Sequence, residues 1–561
     1  MIDKLNQPNV VTKENNYIKK FPGGKTAKSF SSSGFADNSQ ISFNGAQTAV
    51  LTGLRGLNNS PAVGACAVDL CSMVIPRTAI EFKNRGPQSG IEAFFREVSS
   101  CIIHACVGLI GLGAATAISG KFNKEYGIKA QNIFASGDTI KNMSAIWENS
   151  SNSSHKFFEG FLSSIKGLNG EEWKTVSNEA SGKIVENLVN LADKSKELAG
   201  KTGSDKINLL KEVKDLKQLV VSQIVQDTGA SASYKIKAKE GIKGVSSSLG
   251  ELVDNAVVLS NSFKTKAEDK LPGFVRALTQ NKTAATMLGL GICAALCVSV
   301  QPLNRYLTKI RTGNDGFVGV KDKNSDQSKG FKTLKTAFGI GFPVFAVSTI
   351  GKLSDFTSNV QFNSKIPTIN QFKLLYGLTI GSRFLSARNK DELRESVIKD
   401  TLGFTNWLIL GGMVSKLTAR ALGGKELINN PVAKEEGKKG LGYAFKWLTK
   451  ASVKSFDEVL LPKAKEIAKD GKMLKFSEMF KKADNATKTK ILKIAGSQIA
   501  GYLYSGLVLG VGISKLNIFI TKKMEAKRNS GKTNINNNPA YGIDYFKQVK
   551  GELSSVFKDF N

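Results

Sequence analysis

Three stretches of this chain are long and apolar enough to cross a lipid bilayer, and nothing else in the sequence restricts the fold as much. Spanning a hydrocarbon core of about 30 Å takes roughly 20 mainly apolar residues. Residues 98–120, with CIIHACVGLIGLGAATAIS, contain no Asp, Glu, Lys or Arg. Residues 283–304 contain TAATMLGLGICAALCVSV, and residues 494–514 read IAGSQIAGYLYSGLVLGVGIS. The last holds eight Ile, Leu and Val residues, worth roughly −2 to −5 kcal/mol of insertion before the cost of Gln498.

Two shorter windows, 336–351 and 401–415, are flanked by charged residues at both ends, and their lysines can snorkel to lengthen the span. A nine-residue window, 374–382, stops at Arg383 and reads as half of a broken or re-entrant helix. Residues 62–80 hold Asp69 in their middle, which costs about 2.5–3.5 kcal/mol at a bilayer centre. They read as an interfacial or protein-buried helix ending near Pro76. The alternative for the shorter windows is a buried helix of a soluble core. The windows of 21 to 23 residues fit that alternative poorly.

The N-terminal sequence lacks the apolar core of a secretory signal. Residues 14–48 are rich in Gly, Ser, Asn and Lys and are expected to form a mainly disordered tail. The six cysteines lie in apolar stretches and read as reduced packing thiols.

Charge enters the argument through its distribution. The net charge is +32, and residues 301–561 carry 44 basic against 21 acidic side chains, or +23. Basic chains bind nucleic acid or anionic membrane surfaces. The chain has no zinc-finger, RRM or basic-zipper pattern, and its charge lies in loops beside apolar windows, so anionic lipid is the expected partner and nucleic acid is not. With six spans, the basic 305–335 and 383–400 loops share a side with both termini, and the positive-inside rule places that side in the cytoplasm; with five spans this asymmetry is lost and the topology stays open.

Outside the windows, residues 121–282 form the largest insertion. Ile184, Leu188, Leu191 and Leu198 mark one helical stripe, and Leu209, Val213, Leu216, Val220 and Ile224 another. Ser204 is the expected N-cap of the second and Gly229 its stop. A third helix starts at Ser248 with Glu251 completing a capping box. Residues 416–493 are a basic helical segment with 19 Lys or Arg and nine Asp or Glu.

The search for chemistry returns little. His104 and His155 are the only histidines. His155 sits in a Ser/Asn-rich stretch expected to be a loop. His104 shares a helix face with Cys101, while Cys106 is turned away, so a metal site needs ligands from elsewhere. PGGKT at 22–26 lacks the first glycine and the preceding strand of a P-loop. No catalytic constellation, metal site or cofactor is expected. Ionisable groups within membrane segments are functional candidates by default, here Asp69, His104 and Arg383, each weighed against a structural ion pair or packing role. Ala285, Gly289, Cys293 and Cys297 recur on one helix face, and Gly506 and Gly510 form a GxxxG pair, the small-residue pattern through which membrane helices pack closely.

The expected fold is mainly α, a multi-pass α-helical membrane protein with a helical extramembrane domain. Its order is a tail (1–60), an interfacial helix and first span (61–120), a helical domain (121–282), spans with short basic loops (283–415), the basic segment (416–493), a long final span (494–528) and a C-terminal tail (529–561). The expected role is a non-catalytic scaffold that docks a protein partner through residues 121–282. The alternatives are a transporter or channel with a site near 336–415, or an intramembrane enzyme using His104.

Overall fold

The computed structural model describes residues 35–530 except 60, 123–125, 127, 129–131, 133, 170–171, 231–233, 267, 319–324, 363–366, 411, 431, 433–439 and 461–475. Residues 1–34 of the expected N-terminal tail and 531–561 of the C-terminal tail lie outside the described residues.

The chain is mainly helical. It opens with α1 (Phe35–Asn59), so a helix stands where residues 35–48 were expected to be tail. Then come α2 (Pro61–Ala67), a π-helical stretch Val68–Val74, α3 (Ile75–Arg85) and α4 (Pro87–Phe122). A first domain follows, with α5 (Gly137–Glu148), α6 (Ser154–Ser164), α7 (Asn178–Leu198), α8 (Gly203–Thr228) and α9 (Leu249–Phe263). Next are α10 (Leu271–Thr312), α11 (Lys329–Ser348), α12 (Phe356–Asn359), α13 (Ile369–Leu385) and α14 (Lys390–Phe404). A second domain contains α15 (Met413–Gly423), α16 (Leu441–Lys450), α17 (Phe456–Leu460) and the helix Phe476–Lys482. The described chain ends in a rod made of Asn485–Tyr504, a π stretch Ser505–Gly512, and Ile513–Ser530.

Side-chain caps set many of the helix starts. Ser136, Ser153, Ser177, Ser248, Ser328, Thr368, Asn389 and Asp484 each accept a backbone N–H from the first turn of the helix they precede. At Ser248 half of the expected capping box forms, because Glu251 accepts from the Ser247 hydroxyl instead (2.6 Å). α8 starts one residue before the expected cap Ser204, and ends at Gly229 in the left-handed conformation (φ 67°) that glycine tolerates.

The first domain packs Ile184, Leu188 and Leu191 of α7 and Val220 and Ile224 of α8 against α5, α6 and α9, around Trp147, Phe157, Phe161 and Phe263. The expected stripes are met in part, since Val213 and Leu216 only flank this core and Leu198 and Leu209 lie outside it, and the domain also holds a small antiparallel sheet in the order β2-β1-β3-β4, with β1 Ile165–Asn169, β2 Glu172–Lys174, β3 Tyr234–Ile236 and β4 Val245–Ser247. Strands of three to five residues are too short to display a period. The second domain packs Trp447, Phe456, Phe476, Ile491 and Ile494 with Leu51 and Leu54 from the end of α1.

Between these domains and a charged far end lies a bundle whose passes alternate in direction. α2–α3 runs away from the domains, since Arg55 pairs with Asp457 of the second domain (2.6 Å) while Arg85 pairs with Glu395 at the far end (2.5 Å). α4 returns and α10 descends again. At the domain end Lys282 donates to the carbonyls of Ala135 and Phe362, and at the far end Asn304 donates to the Glu92 carbonyl. α11 returns, α13 descends from Gln371 to Arg383, and α14 returns until Trp407 meets Phe372 and Tyr376. The rod descends last, from Gly501 against Ser415 to Asn517, which donates to the Glu395 carbonyl.

Three helical segments, Pro87–Ile118, Leu271–Thr312 and Asn485–Lys527, are long and apolar enough to cross a membrane. The shorter windows behave differently. Window 336–351 lies mostly in α11, which passes the same test only together with residues 353–359, across a 79° bend. Window 401–415 is not one straight helix, because it turns π-helical at Thr405–Ile409 and breaks at Gly412 (φ 54°). Window 374–382 lies inside the unbroken α13, so the broken helix expected there is absent and Arg383 falls within its last turn. Nor does the 62–80 helix stop at Pro76. The π stretch before it widens the hydrogen-bond register where proline lacks a donor and its ring would strike a preceding carbonyl.

Candidate functional site

The bundle is apolar outside and charged inside. Ile102 and Leu109 of α4, Ile340 and Val344 of α11, and Leu503 of the rod are exposed, while Glu97, Arg383 and Asp400 are buried. Burying a charge is costly without an ionic or hydrogen-bonded partner, so the partners define the site. They come mainly from the start of α4, the end of α13 and the whole of α14. The short Ser386–Asn389 connection, with Asn389 capping α14, folds α14 back along α13.

Three layers of ion pairs stack from the outer end inward. In the outermost, Arg388 holds both Glu92 and Glu392, the latter at 2.8 Å, and its guanidinium lies 5.6 Å from the Phe317 ring centroid. In the second, Arg85 bridges Glu395 and Glu81 (2.5 and 3.3 Å), and Glu395 also accepts from Thr521 of the rod. In the deepest, Arg383 joins Glu97 of α4 (2.7 Å) to Asp400 of α14 (2.9 Å), and Glu97 further accepts from Arg96 and Lys399 (3.3 and 3.4 Å). Further in, Arg77 donates to the Leu509 carbonyl of the rod (3.3 Å). Asp69 accepts from the Cys101 thiol and feels the charges of Arg77, Glu97 and Arg383.

The three residues singled out in the sequence therefore lie along one polar track. Arg383 and Asp69 belong to the ion-pair system. His104 ends the track: it is 1% exposed, sits 3.4 Å from the Thr379 hydroxyl and packs against Tyr376 and Phe372 (ring centroids 5.1 and 6.2 Å). Among the described residues no cluster of His, Cys, Asp and Glu is arranged to hold a metal. His155, expected in a loop, lies in the first turn of α6, exposed beside Glu159 (3.4 Å).

The small residues of α10 lie where α4 crosses. Ala285, Cys293 and Cys297 are fully buried, and a Cβ on Gly289 would stand 2.9 Å from the Gly111 Cα of α4. Of the expected GxxxG pair, Gly510 presses on Ser72 and Pro76, whereas a Cβ on Gly506 would meet open space. Gly506 and Gly510 lie in a π-helical stretch, which removes the regular four-residue repeat on which the motif depends.

Sequence reasoning passed over Glu92, Glu97, Arg388, Glu395 and Asp400. The signal was present, since Glu97 directly precedes one apolar window and Asp400 another. They read as span borders because nothing in one dimension brings them together. Two adjoining cavities open within the cluster. One, with room for little more than a water molecule, is lined by Glu81, Glu392 and Glu395 together with Arg96 and Lys399. The other, no larger, is lined by Arg96, Gln301, Arg305 and Arg383 among others. Compared with protein-family models, with curated proteins and with solved structures, the chain matches none.

Proposed function

We propose that this chain is a multi-pass integral membrane protein that acts as a scaffold, holding two helical domains at one face of a bilayer. The observation that carries the reading is the inverted bundle, with an apolar exterior on helices of bilayer-spanning length and an interior of paired charges. A soluble protein leaves no such contiguous apolar belt bare, and intramembrane charges face the bundle interior in pairs. Because the passes alternate, both domains project from one end. The basic end of α10, with Lys309 and Arg311, lies at the other, which the positive-inside rule assigns to the cytoplasm; the 383–400 stretch, expected as a basic loop, is instead the end of α13, a four-residue connection and α14, with Arg383 and Arg388 buried in ion pairs.

Scaffolding is favoured over transport by the packing in the middle of the bundle. A transport path needs room there, and the His104 layer is filled by Tyr376, Phe372 and Thr379. Catalysis by His104 would need a partner group and access. Its Nδ1 has no hydrogen-bond partner, and the ring is enclosed.

The membrane assignment is tested by an alkaline carbonate wash of membranes holding the full chain, which should retain it; recovery in the supernatant would overturn the assignment. The arrangement is tested with single cysteines introduced at Lys211, Lys450 and Lys309 and an impermeant maleimide on sealed vesicles. Lys211→Cys and Lys450→Cys should label from one side and Lys309→Cys from the other. Labelling of all three from one side would refute it.

A further inference from the structure

We propose that α16 is an interfacial helix that seats the second domain on an anionic bilayer surface beside the rod, a role that rests on the membrane reading above. The residues of α16, LGYAFKWLTK, divide into three strips. Tyr443 and Trp447, one turn apart, turn inward onto the core of the second domain. Leu441 and Phe445, also one turn apart, stand on the opposite face and are 91% and 56% exposed. Lys446 and Lys450 are exposed and run along the flank between the two. Position comes through α15. Lys416 of α15 donates to the Leu448 carbonyl, and the Arg420 guanidinium lies 5.2 Å from the Trp447 ring centroid. On another face α15 packs against the rod, where Gly501 closely faces Ser415 and Gly496 lies beside Leu422. The C-terminal half of α16 is thereby held level with residues 496–501, the first turns of the rod's apolar run, beside which Ile499 and Leu503 are exposed.

Two observations select lipid as the occupant of the bare strip. The first is continuity: the strip stands at the level where the rod's own exposed apolar surface begins, so the bilayer that covers Ile499 and Leu503 has its headgroup boundary beside Phe445. The second is charge. Residues 416–493 carry 19 basic against nine acidic side chains, and the lysines of α16 border its apolar strip. A helix that lies in the headgroup plane has that pattern, an apolar face sunk toward the acyl chains and cations beside it. Lysine stems can follow the apolar surface while their ammonium groups reach lipid phosphates. A second copy of this chain fits the strip poorly, because it would set lysines against lysines.

The full chain would be placed in nanodiscs of phosphatidylcholine alone or with phosphatidylglycerol, carrying the photocrosslinker p-benzoylphenylalanine in place of Phe445 or, separately, of Leu503 on the rod. Both positions should give lipid adducts by mass spectrometry. The yield at Phe445, but not at Leu503, should rise severalfold when phosphatidylglycerol is present. Lys446→Gln combined with Lys450→Gln should abolish that rise, since each basic side chain at an anionic surface favours contact by about fivefold. Should the chain fail to fold with the crosslinker at Phe445, the fully accessible Leu441 carries it instead. Lipid adducts at Leu503 with none on α16 overturn the proposal and leave the membrane reading standing, whereas none at either position overturns both. An adduct from α16 to a second polypeptide overturns it too, as does a lipid adduct indifferent to phosphatidylglycerol or a rise that survives in the double variant.

Discussion

Arg383 binds two carboxylates that belong to different helices, and its position shows how charge organises this interior. Removing one member of a buried ion pair leaves the others uncompensated, at a cost of about 3–5 kcal/mol. Arg383→Met should therefore sharply lower the thermal midpoint of the full chain in detergent, whereas Lys211→Met on the solvent face of α8 should change stability by no more than about 0.5 kcal/mol. His104→Leu, which fills the same space, should be tolerated better than His104→Ala, which opens a cavity and should cost about 2–4 kcal/mol. Outside the bundle, burial lowers the Lys416 ammonium from 10.5 to about 8, where it donates to the Leu448 carbonyl. The unfolded chain then binds the extra proton more readily between pH 8 and 10.5, so this group's contribution to stability rises with pH across that interval. In melting curves Lys416→Met should lack that rise, and parallel pH profiles for variant and wild type would disprove the assignment. The sequence marked Asp69, His104 and Arg383 because each interrupts an apolar run. It could not mark their partners, whose charges lie at the edges of such runs and are joined only by the helix packing.

Among the elements, small residues matter where a backbone is met and not where the pattern merely recurs. A Cβ at Gly289 would meet the backbone of Gly111, which cannot swing aside as a side chain can. Gly289→Val should cost about 1–3 kcal/mol by overpacking. Gly506→Ala, in open space, should leave the melting temperature unchanged or raise it slightly through the lower entropy of the unfolded chain. Both spacings look alike in the sequence; the π register of residues 505–512 separates them. The other π stretch, Val68–Val74, hides the continuity of the helix through Pro76, and the polar composition of α14 hides that it lies inside the bundle. The domain helices were more legible, since their stripes at 184–191 and 220–224 form the core. The stripe alone does not show how much else is needed. A fragment of residues 170–282 would lack α5, α6 and β1, which supply Ile140, Trp147, Phe157, Phe161 and Ile165. Residues 128–282 should give a cooperatively melting helical fragment by circular dichroism, and residues 170–282 should not. Leu188→Asp, at a fully buried site, should unfold the longer fragment. Leu216→Asp should be milder, because Leu216 only flanks the core.

At the scale of the whole molecule, the three long apolar helices were legible from length and hydropathy alone. The sheet and the direction of each pass were not, because both depend on contacts between distant segments. The crossing at Gly111 and Gly289 adds a consequence of its own. The two glycines lie on helices separated in the chain by the whole first domain. Closing so long a loop carries an entropic cost that must be met before the crossing can reward it. The folded domain lowers that cost, since its core contains Leu271, Phe274 and Leu278 from the start of α10, and Lys282 joins that helix to the Ala135 carbonyl. The domain thus acts as a clasp. Assembly of the hairpin should wait for it to fold, so a lesion such as Leu188→Asp, outside the long apolar helices, should surface as a failure of those helices to pair.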